Sequence, residues 1–393
     1  MDYYKQALEI KDEIITHRRF FHTNAEVGMD TPKAVEYITK TLESYGIKSQ
    51  ICAGGVTALI GGGEPVILLR ADMDALPMEE QSGEIFASDT AKTAHTCGHD
   101  MHAAMLLGAA KLLKNSENGL NGAVKLMFQP GEEILQGCKA MIAKGVLHSP
   151  VPTVALALHT GAGRILPGTF MYNSKEAMMA SADNFTITVK GKGGHGAYQH
   201  LTVDPVNIAV HIYTALQSLV CIESPAGKMC RISIGCFSAG NEGNIIPETA
   251  HLKGSLRTDD ENCRRHIRHR MEEITIKTAE SFNGMAKVEF TSGTPALKCD
   301  KDFTEKVVKY IDELNIPDAK FVPDIKAGAS EDFAYIATEV PSAYIYLSSG
   351  FDDARGEYTA HNPKVRFNED CLPIGAAVYA QCADRWLKEN AVE

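Results

Sequence analysis

Three short runs of apolar residues end in groups that can carry chemistry. Val66-Ile67-Leu68-Leu69-Arg70 leads into Ala71-Asp72-Met73-Asp74, and Ala123-Val124-Lys125-Leu126-Met127-Phe128 leads into Gln129-Pro130-Gly131-Glu132-Glu133. Val154-Ala155-Leu156-Ala157-Leu158 ends at His159. Near-continuous apolar runs bounded by turn residues predict strands buried on both faces, which is what a helix-covered parallel sheet requires. Between them the apolar spacing turns helical, with a long N-terminal helix, a second over 31–45 and a run from Ala103 to Leu113. Ligands of such open sheets gather outside the carboxyl ends of the strands. Asp72, Asp74, Glu132, Glu133 and His159 are therefore expected on one rim.

From Asn184 the pattern changes. Phe185-Thr186-Ile187-Thr188-Val189-Lys190 alternates apolar and polar, the mark of a strand with one solvated face. Asp204-Pro205 starts a helix that continues to about Cys221, the aspartate as cap and the proline at the first helical position. Met229–Phe237 and Thr249–Arg257 read as strands, Asp259 or Asp260 caps a helix to about Phe282, and Ala286–Phe290 is a further strand. That β-α-β-β-α-β order is the ferredoxin-like split pattern of a small independent domain. After about Pro295 the first half's alternation returns, with a strand over Ala343–Leu347 and a closing helix over Glu369–Lys388. The expected architecture is an α/β domain, residues 1–183 and 295–393, with a mixed, mostly parallel sheet covered by helices. It is interrupted by a ferredoxin-like α+β domain at 184–294. No internal repeat or low-complexity segment breaks this plan.

Composition narrows the function classes. A chain of 393 residues, 44% hydrophobic, can build two domains with substantial cores. A net charge of −11 without long runs argues against nucleic acid and against an anionic membrane surface as partners. No stretch approaches the roughly 20 apolar residues of a spanning helix. Met1-Asp2-Tyr3-Tyr4-Lys5 lacks the basic head and apolar core of a signal peptide. Ten cysteines without paired spacing read as reduced thiols, nine of them as packing residues, and a cytoplasmic location is expected.

Cys97-Gly98-His99-Asp100-Met101-His102 packs thiol, imidazole and carboxylate groups into a loop feeding a helix. Cysteine and histidine two residues apart, with a glycine between, can both reach a divalent cation of the zinc group. A Cys-x-His pair alone is more often structural than catalytic; the convergent carboxylates change that. His102 reads as a packed helix residue and Asp100 as a helix cap. Asp72 and Asp74 are strand-end caps or, for Asp74, a carboxylate that orients a histidine ligand. Glu132 and Glu133 point in different directions from a turning segment, so one can serve as base and one as ligand; spacing does not say which.

Seven motifs carry a family resemblance: Arg70-Ala71-Asp72-Met73-Asp74-Ala75-Leu76-Pro77, Cys97 to His102, Gln129 to Glu133, Gly191-Lys192-Gly193-Gly194-His195, Asn244-Ile245-Ile246-Pro247, Gly254-Ser255-Leu256-Arg257-Thr258 and Ser330-Glu331-Asp332-Phe333. In this order they resemble the dinuclear-metal amidohydrolases typified by hippurate hydrolase, bacterial N-acyl-amino-acid hydrolases and plant auxin-conjugate hydrolases. The resemblance implies two divalent metal ions per subunit, drawn from zinc, manganese, nickel or cobalt. Cys97 would bridge them, His99 and His159 would complete one, and Glu133 and His361 the other. Glu132 would be the general base acting on the metal-bridging water. It also implies that His195, assisted by Asn244, donates to the tetrahedral intermediate and that Arg257 holds a substrate carboxylate. In dimeric relatives that histidine and asparagine reach the partner's active site, so a homodimer through the inserted lid domain is expected.

The implied activity is hydrolysis of a small amide with a free carboxylate, an N-acyl amino acid or similar conjugate. A dipeptidase or carboxypeptidase of the same fold is the alternative. A non-catalytic metal-binding assembly protein would tend to lose Glu132 or Cys97, and both are present. The chain departs from its relatives at Thr160-Gly161-Ala162-Gly163-Arg164, where a proline-containing stretch is usual, and at Gly131 and Ala360. None of these removes an implied ligand.

Overall fold

In a computed structural model, which describes residues 1–90 and 92–391, the chain begins with helices α1 (Tyr3–Glu9), α2 (Lys11–Thr23) and α3 (Pro32–Ser44). The expected long N-terminal helix is thus two, parted at Ile10, whose φ of −106° and ψ of 14° leave the helical region. A hairpin of β1 (Ser49–Cys52) and β2 (Gly55–Gly61) follows, then β3 (Val66–Asp72), α4 (His99–Asn115), β4 (Ala123–Gln129) and α5 (Gly137–Ala143). Every residue of β3 and β4 is buried, as their unbroken apolar runs predict. β5 (Val154–Gly161) runs through His159 rather than stopping before it. Two short strands, β6 (Thr169–Met171) and β7 (Ala177–Met179), end this stretch.

The next segment holds β8 (Ala182–Lys190), β9 (Gly194–His195), α6 (Pro205–Glu223), β10 (Cys230–Ala239), β11 (Ile245–Ile246), β12 (Thr249–Thr258), α7 (Glu261–Ser281) and β13 (Met285–Thr294). Four strands form an antiparallel sheet in the order β10-β12-β8-β13. That is the strand order of a split β-α-β pair, each helix returning over one face. The alternation along β8 buries Phe185, Ile187 and Val189 beneath Ile208, Ile212 and Leu216 of α6 and Ile267 and Met271 of α7. Asp204 caps α6 by accepting from the N–H groups of Val206 and Asn207, and Asp260 caps α7 through Cys263. α6 corrects one sequence expectation. Among the described residues it alone is long and apolar enough, by length and composition, to cross a membrane, with a mean hydropathy of 1.4 and a third of that window buried.

β14 (Leu297–Lys298), α8 (Lys301–Asp312), β15 (Lys320–Val322), α9 (Ala334–Glu339), β16 (Ser342–Ser348) and α10 (Cys371–Glu389) complete the chain. The large sheet has the order β1-β2-β4-β3-β5-β16-β6-β15. It is mixed, with β4, β3, β5 and β16 parallel to their neighbours at its centre. α4 and α10 pack against it and bury Leu106, Leu107, Leu113, Ala377, Tyr379 and Trp386. Each large apolar side chain so covered contributes about 1.5–3 kcal/mol. Their contact is close enough that a Cβ on Gly375 would lie 1.9 Å from Met105 Sδ. The chain divides into two units: Met1–Met178, Lys298–Lys326 and Asp332 onward, and Met179–Leu297 with Ala327–Glu331.

Candidate metal centre

β3, β4 and β5 lie side by side and parallel, so their carboxyl ends deliver Asp72, Glu132 and His159 to one rim. Asp74 organises that rim. Its Oδ1 accepts the backbone N–H of Glu132 at 3.0 Å and its Oδ2 that of Glu133 at 3.2 Å. The turn after β4 is thereby fixed, with both glutamate carboxylates turned toward His99. Asp74 Oδ1 also lies 3.5 Å from His99 Nδ1, and His99 Nε2 lies 3.9 Å from both Glu132 Oε2 and Glu133 Oε1.

Cys97 Sγ stands 3.6 Å from His159 Nε2. His159 Nδ1 lies 2.8 Å from the Thr160 carbonyl, which can only accept, so Nδ1 carries the proton and the Nε2 lone pair faces the thiol. This is the tautomer a metal ligand needs. His361 sits at φ 67°, in the left-handed region, with its N–H donated to Thr96 O, and its Nε2 comes 3.4 Å from Glu133 Oε1. Two donor groups result, Cys97 with His99 and His159, and Cys97 with Glu133 and His361. Within each, one donor atom per residue lies within 4.8 Å of the others. The thiol is common to both.

The chemistry of these atoms fits a pair of divalent cations. His99 Nδ1 and Nε2 and Glu133 Oε1 are buried without a hydrogen-bond partner among the described residues. Each such atom costs about 1–3 kcal/mol unless something satisfies it. Thiolate, imidazole and carboxylate together are the donor set of zinc and its transition-metal neighbours. Burial pushes the Cys97 thiol up to about 12, so a thiolate forms here only with a cation beside it. Burial also holds His159 well below the usual histidine range, hence neutral and able to ligate. Burial opposes ionisation of Glu133, but His361 and His99 outweigh it and keep the carboxyl below its ordinary range.

A second set of residues braces the first. Asp72 accepts from Arg70 Nη1 at 2.7 Å and from His102 Nδ1, while His102 Nε2 accepts the Thr160 N–H at 2.8 Å. Both ring nitrogens of His102 are taken, and this neutral imidazole ties α4 to β5 beside His159. Asp100 is not a helix cap. Gly98 holds the cap position with a φ of 94°, and Asp100 lies in the first turn of α4, its carboxylate 2.9 Å from Arg18 Nε and 2.8 Å from His22 Nδ1. In the second unit β9 pairs with β11, setting His195 opposite Ile245 and next to Asn244, whose carbonyl accepts the Gly196 N–H. The glycine-rich turn is thus strand-paired, with His195 exposed upon it. Arg257 Nη1 is held by Gly328 O and Ser330 Oγ at 3.1 and 2.9 Å.

Comparison with known proteins places this arrangement. The family model for peptidase family M20/M25/M40 matches residues 68–385. The chain belongs to that family. It is 34% identical over 395 residues to IAA-amino acid hydrolase ILR1-like 2 of Arabidopsis thaliana, covering 99% of this chain and 88% of that protein. It is 32% identical to thermostable carboxypeptidase 2 of Saccharolobus solfataricus, covering 95% of each. Its fold is that of the Bacillus subtilis YXEP protein, a dinuclear metal binding M20 peptidase, with a TM-score of 0.81, 28% identity and coverage of 98% and 99%. The protein is accordingly a metal-dependent M20 hydrolase of the amidohydrolase and peptidase class.

Several braces of this M20 centre escaped the sequence reading. Thr160 offered no signal, because its backbone N–H and carbonyl do the orienting. Arg18 and His22 did offer one: they fall one helical turn apart on the α2 face that also carries Ile14 and Phe21, where a charge must find a partner. The cysteines also divide differently from expectation, for Cys221 and Cys236 are exposed rather than packed.

Proposed function

We propose that this enzyme cleaves the amide bond of N-acyl amino acids or related small conjugates, with Glu132 as general base. The observation that carries the proposal is the pairing of two donor groups through Cys97, with a second carboxylate, Glu132, beside His99. Cys97, His99 and His159 would hold one divalent ion and Cys97, Glu133 and His361 the other, with zinc, manganese, nickel or cobalt all suited to the set. Two such ions supply Lewis acidity that polarises an amide carbonyl and makes water acidic near neutral pH. Glu132 takes a proton from the attacking water and returns it to the departing nitrogen. His195, steadied by Asn244, donates to the oxyanion that develops in the transition state, a role that lowers the barrier without tightening substrate binding. Arg257, its fork oriented by Gly328 and Ser330, pairs with the free carboxylate of the amino-acid half.

We further propose a homodimer through the second unit. β10 is the edge of its sheet and bears the exposed Phe237, and α6 shows Val210, Tyr213 and Ile222 to solvent. Edge strands and apolar helix faces of this kind call for covering, here by a second copy.

Rates on a panel of N-acetyl, N-benzoyl and N-indoleacetyl amino acids, set against dipeptides and amidated substrates, test the reading. The acyl amino acids should be preferred, and loss of the carboxylate should raise KM. Faster cleavage of dipeptides bearing a free amine would overturn the assignment in favour of a peptidase. Glu132→Gln should leave metal content near normal while turnover falls by about 10² or more. Glu133→Gln should reduce metal content instead.

A further inference from the structure

One charged cluster lies beside the metal centre without being part of it. His22, near the end of α2, is only 4% exposed, and each of its ring nitrogens meets a carboxylate. Nδ1 lies 2.8 Å from Asp100 Oδ2 and Nε2 lies 3.0 Å from Glu80 Oε1. A carboxylate only accepts, so an imidazole can serve both only when both nitrogens carry protons. The count of charges around it agrees. Arg18 pairs with Asp100 and with Glu369, and Arg19 grips Glu369 with two nitrogens. Two guanidinium groups face the three carboxylates of Glu80, Asp100 and Glu369, and the third positive charge is His22. The rings beside it are Phe86, edge-on at 5.3 Å, and His95, which burial holds down to about 3 and therefore neutral.

The two carboxylates lead in different directions. Asp100 follows His99 directly, in the first turn of α4. Glu80 anchors the 80–88 loop by accepting from Ser82 Oγ and the Ser88 N–H, and the next residue, Gln81, donates its N–H to Pro363 O at 2.7 Å. Pro363 lies two residues beyond His361. Arg366 adds a second tie to the same loop through Glu84. One imidazolium thus sits where the supports of His99 and of His361 meet.

We propose that His22 is a positioning residue: bonded to Asp100 and Glu80 at once, it holds the His99 and His361 segments at the separation that two metal ions require. This rests on the reading of the centre as a dinuclear site, and it assigns to His22 no contact with metal or substrate. Supports outside the ligand shell commonly govern metal affinity by 10- to 100-fold. Although burial disfavours its charge, Asp100 and Glu80 raise His22 to about 9. A group raised in the folded state contributes stability that is fully present below about pH 6.5 and is lost as pH rises through about 9.

The test uses the full chain, stripped of metal and titrated with zinc against a chromophoric chelator. The wild-type titration examines the dinuclear reading by itself, and only differences between proteins examine His22. His22→Gln can donate to one carboxylate but turns its carbonyl to the other, so the affinity for at least one of the two ions should fall about tenfold or more. His22→Gln combined with Glu80→Gln lets the two amides pair, and much of that affinity should return. The melting temperature of the metal-free wild type should exceed that of His22→Gln at pH 6, and the gap should close by pH 10. Wild-type zinc affinity in His22→Gln, or a gap in melting temperature equal at pH 6 and pH 10, overturns the proposal. Should His22→Gln fail to fold, Glu80→Gln alone decides: weakened zinc binding supports the role and unchanged binding removes it.

Discussion

Gly98 separates the two ligand candidates Cys97 and His99 at a φ of 94°, and a Cβ there would lie 2.4 Å from Thr160 Oγ1 and 2.9 Å from Phe367 Cε1. An alanine must bear left-handed strain of about 1–3 kcal/mol and displace Thr160, the residue that orients His159. Gly98→Ala is therefore expected to lose most of its bound metal by elemental analysis while its circular dichroism stays near that of the wild type. His17 offers a different residue-scale test. Its Nδ1 and Nε2 lie 2.8 and 2.9 Å from the hydroxyls of Tyr37 and Tyr45, and Tyr45 gives its own proton to Glu13. Nε2 therefore donates to Tyr45, and burial holds the ring down to about 4, so it is neutral near pH 7. Because the folded value lies below the unfolded one, the contribution is whole above about pH 6.5 and drains away as pH falls toward 4. The stability advantage of wild type over His17→Gln, read from urea midpoints, should shrink steadily between pH 7 and pH 4.5.

At the scale of elements, the rim depends on how the end of β3 holds the turn after β4. Asp74 does this with both oxygens, and an asparagine has only one acceptor to offer. Asp74→Asn should keep the fold, leave the N–H of Glu132 or Glu133 unpaired, and lower metal affinity about 10- to 100-fold in a chelator competition. β4 is braced on its far side by Lys125, whose ammonium donates to the carbonyls of Val146, His148 and Pro150 at 2.7–2.9 Å. Three donors meet three acceptors, so Lys125→Met should destabilise the protein by about 2–3 kcal/mol, visible as a lower melting temperature. The longer buried strands and the alternation along β8 were legible in the sequence, since apolar spacing is a local property; short strands such as β6, β7 and β15 were not, because two or three residues carry no period. The break at Ile10 was not, because both halves of that helix carry the same pattern and only packing parts them.

For the whole molecule, the proposed homodimer, with His195 reaching the partner's site as the family resemblance implies, predicts complementation. Glu132→Gln and His195→Ala proteins, each inactive, should regain activity on mixing once subunit exchange is verified by mass spectrometry. If exchange occurs and no activity returns, His195 acts within its own chain. What the sequence by itself determined is the inventory: buried strands ending in carboxylates and histidine, a split α+β insertion, and the residues capable of holding metal. Those follow from periodicity and side-chain chemistry, which act over a few residues. The tertiary structure alone decided which groups meet. Cys97 and His159, 62 positions apart, face each other because α4, which begins two residues after Cys97, packs against β5. Asp100 turned from expected cap to partner of Arg18 and His22 because α2 packs against α4, and a buried carboxylate takes the nearest cations.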